Sequence, residues 1–138
     1  MKPLSSIFFT LISISIGLLF TSALSFNTFH FGGLSILYFV TLYIFVLQWI
    51  IFIPAYVKQT EHYFDLTGSM TYITSILLVT FFSREIDLRD ILISSLIIIW
   101  ASRLGLFLSK RVAKAGEDTR FTHIKPNFFQ FLMTWTIQ

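Results

Sequence analysis

Two short polar islands interrupt a sequence that is otherwise nearly all hydrocarbon: QTEHYFDLTGS at residues 59–69 and GEDTRF at residues 116–121. Between them they hold Glu61, Asp65, Glu117 and Asp118, most of the acidic groups of the chain. Burying polar groups in lipid is costly, so such islands mark either loops where helices surface or a site that binds something polar. A third feature is Arg103, which lies in an apolar run seven residues before Lys110, or about 10 Å along a helix rising 1.5 Å per residue. It either snorkels toward the membrane surface or points inward and pairs with a phosphate or with an acid such as Glu61. If it is functional, Arg103 and Lys110 share a stripe, being close to two turns apart.

Other chemistry is excluded by residue type. The chain has no cysteine and three isolated histidines, which rules out thiolate nucleophiles, disulfides and Cys-ligated metals and leaves no metal-ligand spacing. No G-x-G-x-x-G and no phosphate loop is present, and Gly32-Gly33 reads as a turn, so any nucleotide site here is not a Rossmann fold. Ten basic against seven acidic residues are too few and too scattered for nucleic acid.

The elements that carry these residues follow from composition. With 55% hydrophobic and 12% charged residues and a mean hydropathy of +0.78, the chain is an integral membrane protein. A spanning requirement of about 20 apolar residues gives four candidates, at 4–26, 34–57, 66–83 and 88–108. An apolar stretch at 128–138 is about half that length, a fifth span cut in two. The spans are apolar around their circumference and show no alternation, so the fold class is an all-α polytopic transmembrane bundle forming a single membrane domain over residues 1–138. The first span resembles a signal peptide in having Lys2 before an apolar run, but that run is too long for an h-region and reads as a retained helix. Lys2, Lys58, Lys110, Arg111, Lys114, Arg120 and Lys125 fall on one side of this arrangement and Arg84 and Arg89 on the other. The positive-inside rule then places the N-terminus and both islands in the cytoplasm. Pro54 removes a hydrogen bond within the second span and is expected to kink it near Ile50. Asp65 is expected to cap the third span, and Gly68 with Thr67, Thr71 and Ser75 to let helices approach closely.

Four ordered motifs carry a resemblance: EHYFDLTGSMTY at 61–72, WASRLGLFLSKR at 100–111, GEDTRF at 116–121 and WTIQ at 135–138. Over roughly residue 59 onward the chain resembles the DUF1295 membrane-protein family, related to steroid 5-alpha-reductases. That resemblance implies a polytopic oxidoreductase that uses NADPH to reduce a carbon–carbon double bond conjugated to a carbonyl in a steroid- or lipid-like substrate. Such chemistry needs a donor to polarise the enone oxygen, a hydride source and cations for the dinucleotide phosphates. Glu61, because a carboxyl group at the membrane boundary can have a raised pKa, and Tyr72, because its hydroxyl can donate without ionising, are the candidate catalytic donors. The alternatives are a solvated loop carboxylate and an interfacial belt tyrosine. Arg103, Arg111, Asp118 and Arg120 are the candidate cofactor residues, Arg forking onto phosphate and Asp accepting from a ribose hydroxyl or orienting the Arg. The alternative for this loop is topology charge with a local salt bridge. Trp100 either walls an apolar substrate cavity or packs in the interior. In the family, further spans and a His-Pro-x-Tyr type motif follow the point where this sequence stops. The chain is therefore expected to be a fragment that is inactive alone, or else a non-catalytic membrane packing module.

Overall fold

The computed structural model describes residues 3–28, 30–31, 33–83 and 85–138; Lys2, Gly32 and Arg84, used above for topology and a turn, lie outside them. Among the described residues the fold has five α-helices: α1 (Pro3–Leu24), α2 (Ile36–Val57), α3 (Phe64–Phe82), α4 (Leu88–Ala115) and α5 (Phe128–Ile137). The first four are long and apolar enough to cross a membrane. A two-residue antiparallel ladder, β1 (His30–Phe31) with β2 (Leu34–Ser35), turns the chain from α1 into α2, with Gly33 at φ 87°. Short 3-10 turns lie at Ser25–Asn27 and Thr119–Phe121.

Local chemistry sets the boundaries. Ser35 caps α2 by accepting from the Leu37 N–H at 3.2 Å. Asp87 and Asp90 form a reciprocal capping box at the start of α4. That helix runs to Ala115, past the apolar segment at 88–108, because SKRVAKA contains no breaker and its cations suit the negative end of the helix. Gly116, at φ 83°, then ends it. Pro54 sits in the last turn of α2, and the Lys58 N–H reaches its carbonyl at 3.0 Å. Asp65 does not cap α3: Tyr63 occupies the cap with no side-chain bond, and Asp65 falls inside the first turn.

Packing is polarised toward one end. Phe52 and Ala55 of α2 and Phe131 and Trp135 of α5 form a buried cluster with Phe121, backed by Phe64. The Phe64 ring meets Phe121 at 4.9 Å and Trp135 at 5.3 Å, both edge-on. Small residues bring α3 and α4 together: a Cβ on Gly105 would lie 2.5 Å from Ser69 Oγ, and Ala101 one turn earlier is fully buried. Helix α1 rests on α5 and α2, with Thr21 and Thr41 hydroxyls 2.6 Å apart. Elsewhere the spans expose large apolar side chains such as Leu19, Ile53, Phe81 and Leu88, the surface expected of helices solvated by lipid.

Candidate functional site

The two islands meet. After α2 the chain reverses through Gln59, at φ 51°, and the Thr60 N–H returns to the Ala55 carbonyl at 2.9 Å, which turns Glu61 inward until it is 3% exposed. After α4, Asp118 caps the short Thr119–Phe121 turn by accepting from the Arg120 N–H at 3.0 Å, and Phe121 is driven into the aromatic cluster. These anchors bring the Asp118 N–H to Glu61 Oε1 at 2.7 Å and Lys125 Nζ to Glu61 Oε2 at 2.5 Å. Both carboxylate oxygens are occupied.

Burial would by itself raise the Glu61 pKa, but the Lys125 ammonium and the Asp118 N–H outweigh it and hold the carboxyl below its ordinary value. The expected raised pKa is therefore corrected. In this arrangement Glu61 is an ionised acceptor that ties two loops together, with no proton to donate. Asp118 forms the second node: Arg120 Nε donates to its Oδ1 at 2.9 Å, and Arg111 Nη2 lies 3.5 Å from its Oδ2. The Arg120 bond holds Asp118 below the usual carboxylate range, and Asp118 in turn raises Arg120. Asp65 joins from α3, 3.9 Å from Arg120 Nη2. Asp65 and Asp118 are largely buried, while the Arg111 and Arg120 side chains are 49% and 60% exposed along a shallow groove of about 340 Å3, whose rim also carries the exposed carboxylate of Glu117. Each guanidinium has more donors than Asp118 uses, so the groove presents free N–H groups to an anion.

Residues 48–138, about two thirds of the chain, match the family described as "Protein of unknown function (DUF1295)". The chain belongs to the DUF1295 family. The match takes in both islands, α3, α4 and α5. No curated protein and no solved structure matches the chain.

In this DUF1295 protein the remaining candidates stand away from the junction. Tyr72 is half exposed, eight residues into α3 from Phe64, or about 12 Å along its axis, with its ring edge-on to Trp100 at 5.4 Å. Trp100 is 51% exposed, so the interior packing role does not hold. Arg103 is exposed too and makes no ion pair among the described residues; with Trp100, Leu104 and Phe107 it lines an outward hollow of about 380 Å3. Its direction is set by Ala101 and Gly105, which are buried against α3: a residue two positions from each projects from nearly the opposite side of the helix. The expected pairing with Glu61 is thus not formed. Arg111, Asp118 and Arg120 are brought together as one cluster.

Lys125, by sequence a topology charge alone, is the partner of Glu61. The usable signal was physical, since a carboxylate in an apolar setting requires a cation nearby. The small pair Ala101 and Gly105, four residues apart, likewise pointed to the packed face of α4 and so away from Arg103.

Proposed function

We propose that this DUF1295 chain is part of a membrane-embedded reductase that uses NADPH to reduce a carbon–carbon double bond conjugated to a carbonyl in a steroid- or lipid-like substrate, in keeping with its resemblance to steroid 5-alpha-reductases. The observation that supports this best is the cluster at the junction. Two outward guanidiniums are held on the largely buried Asp118 at one end of an apolar bundle, a donor set suited to a phosphate group. On this reading Arg111 and Arg120 hold the dinucleotide phosphates, and Asp118 orients both. Arg103, on the outer face of α4, would take part only through a group arriving at that face. NADPH supplies the hydride when bound. Glu61 acts as a positioning residue that locks the loop carrying Asp118, and Tyr72 remains the neutral hydroxyl able to donate to an enone oxygen. The island end faces the cytoplasm, where Lys58, Lys110, Arg111, Lys114, Arg120 and Lys125 gather against Arg89 at the other end.

The complete pairing of Glu61 favours a second reading, in which the same junction serves only to assemble a non-catalytic membrane module. One experiment separates the two. The protein expressed from its own locus is purified in detergent, and NADPH binding is measured for the natural sequence and for Arg120→Ala and Arg111→Ala. Low-micromolar binding that falls about tenfold or more in monodisperse variants, the loss of one charge-assisted contact, supports the reductase. No binding, or variants that misassemble without any binding to lose, supports the module.

A further inference from the structure

A small cavity, largely apolar but with several polar side chains at its wall, lies within the bundle. It has a volume of about 150 Å3 between α2, α3 and the end of α5, and Gln48, Thr71, Tyr72, Ser75 and Gln138 line it beside Ile44 and Gly68. Gln48 is the thirteenth of 22 residues in α2 and Ser75 the twelfth of 19 in α3, so both sit at mid-span, where lipid offers no hydrogen bonds. Three buried polar atoms here have no partner among the described residues: Gln48 Oε1, Ser75 Oγ and Gln138 Oε1.

The orientation of both amides follows from their neighbours. Gln138 Nε2 donates to the Phe64 carbonyl at 2.7 Å, and a carbonyl can only accept. The Thr71 hydroxyl gives its proton to the Thr67 carbonyl at 2.8 Å, so it accepts from Gln48 Nε2 at 3.4 Å. Both amide oxygens are therefore left as acceptors without a donor, and each such group costs about 1–3 kcal/mol when buried. Ser75, unlike Thr67, Ser69, Thr71 and Thr74 on the same helix, makes no bond to the carbonyl four residues back. Its hydroxyl is available in either sense.

We infer that this cavity binds the hydroxyl head of a membrane-dissolved alcohol. A hydroxyl donates to a glutamine carbonyl and accepts from Ser75 at once, which a ketone or an alkane does not do. At about 30 Å3 per water-sized group the space admits roughly five such groups, enough for the head and the first carbons. Tyr72, half exposed to the lipid side, leaves a lateral route for the tail. The site stands apart from the guanidinium cluster and shares only Tyr72 with the reductase reading; the contacts tested below, at Gln48 and Ser75, do not involve that hydroxyl, so their failure leaves the proposed NADPH binding at Arg111 and Arg120 untouched.

The test is native mass spectrometry of the detergent-solubilised full protein titrated with 1-decanol and, separately, with 2-decanone, which accepts but cannot donate. One alcohol is expected per chain, bound about tenfold more tightly than the ketone, the value of one hydrogen bond. Gln48→Leu is expected to reduce that preference to less than about twofold, with Ser75→Ala giving the same direction should the leucine variant not fold. Equal affinity for the two probes, no saturable alcohol binding, or an undiminished preference in the folded variants would overturn the inference and assign the cavity to trapped water.

Discussion

Glu61→Ala tests the junction most directly. The substitution leaves Lys125, whose side chain is 14% exposed, as an almost buried charge without its partner. Breaking such a pair from one side costs about 3–5 kcal/mol. It also strips the Asp118 N–H of its acceptor, a loss of about 1–3 kcal/mol where water does not replace it. The two losses share one cause and do not add, so the expected cost is about 3–5 kcal/mol. Against a total stability of about 5–15 kcal/mol this is a large fraction. Reversible unfolding in mixed micelles, followed by far-UV circular dichroism against SDS fraction, gives the difference directly. Glu61→Gln preserves an oxygen for Asp118 and should cost less, and adding Lys125→Met to it should recover most of the loss by removing the stranded cation. A cost for Glu61→Ala under about 1 kcal/mol, the range of exposed ion pairs, would refute the reasoning. So would strict additivity of Glu61→Gln and Lys125→Met.

The same pair predicts a pH dependence. Glu61 and Asp118 are held below their unfolded values, so their contribution is present above the ordinary carboxylate range and is lost as pH falls through the folded values. The melting temperature should be level from neutrality to about pH 5 and drop below about pH 4, with a shallower drop in Glu61→Gln. Gly105→Ala would force a Cβ to within 2.5 Å of Ser69 Oγ and 2.6 Å of Ser69 Cβ, and should cost about 1–3 kcal/mol by the same unfolding assay. Ser69→Gly in the same chain should restore much of it, whereas Gly68→Ala, which meets only the flexible Gln138 amide, should cost less. Because the chain has no cysteine, Thr60→Cys and Glu117→Cys report sidedness alone: both should react with an impermeant maleimide only after the cytoplasmic face is opened.

The membrane class, the four spans and the positions of both islands could be read along the chain because lipid imposes its demand residue by residue. A helix surrounded by hydrocarbon must be apolar over about 20 consecutive positions, and any departure is visible in the sequence itself. The same logic made Arg103 conspicuous, but not its direction. That direction depends on the rotation of α4, fixed by the approach of Gly105 to Ser69 on another helix. The junction needed more still: Glu61 and Asp118 are 57 residues apart, and their bond exists because Phe121 and Phe64 share one aromatic cluster that draws the two loops together. Whether Glu61 would be a raised acid or a depressed one turned on Lys125, a partner 64 residues away whose distance no local pattern encodes. The mid-span cavity belongs wholly to tertiary structure, since Gln48, Ser75 and Gln138 come from three helical segments and their side-chain oxygens are left without a partner among the described residues only once those segments pack together. Solvation by lipid is local and is written in composition; pairing within the bundle is set by how helices rotate against one another, and only the folded chain decides that.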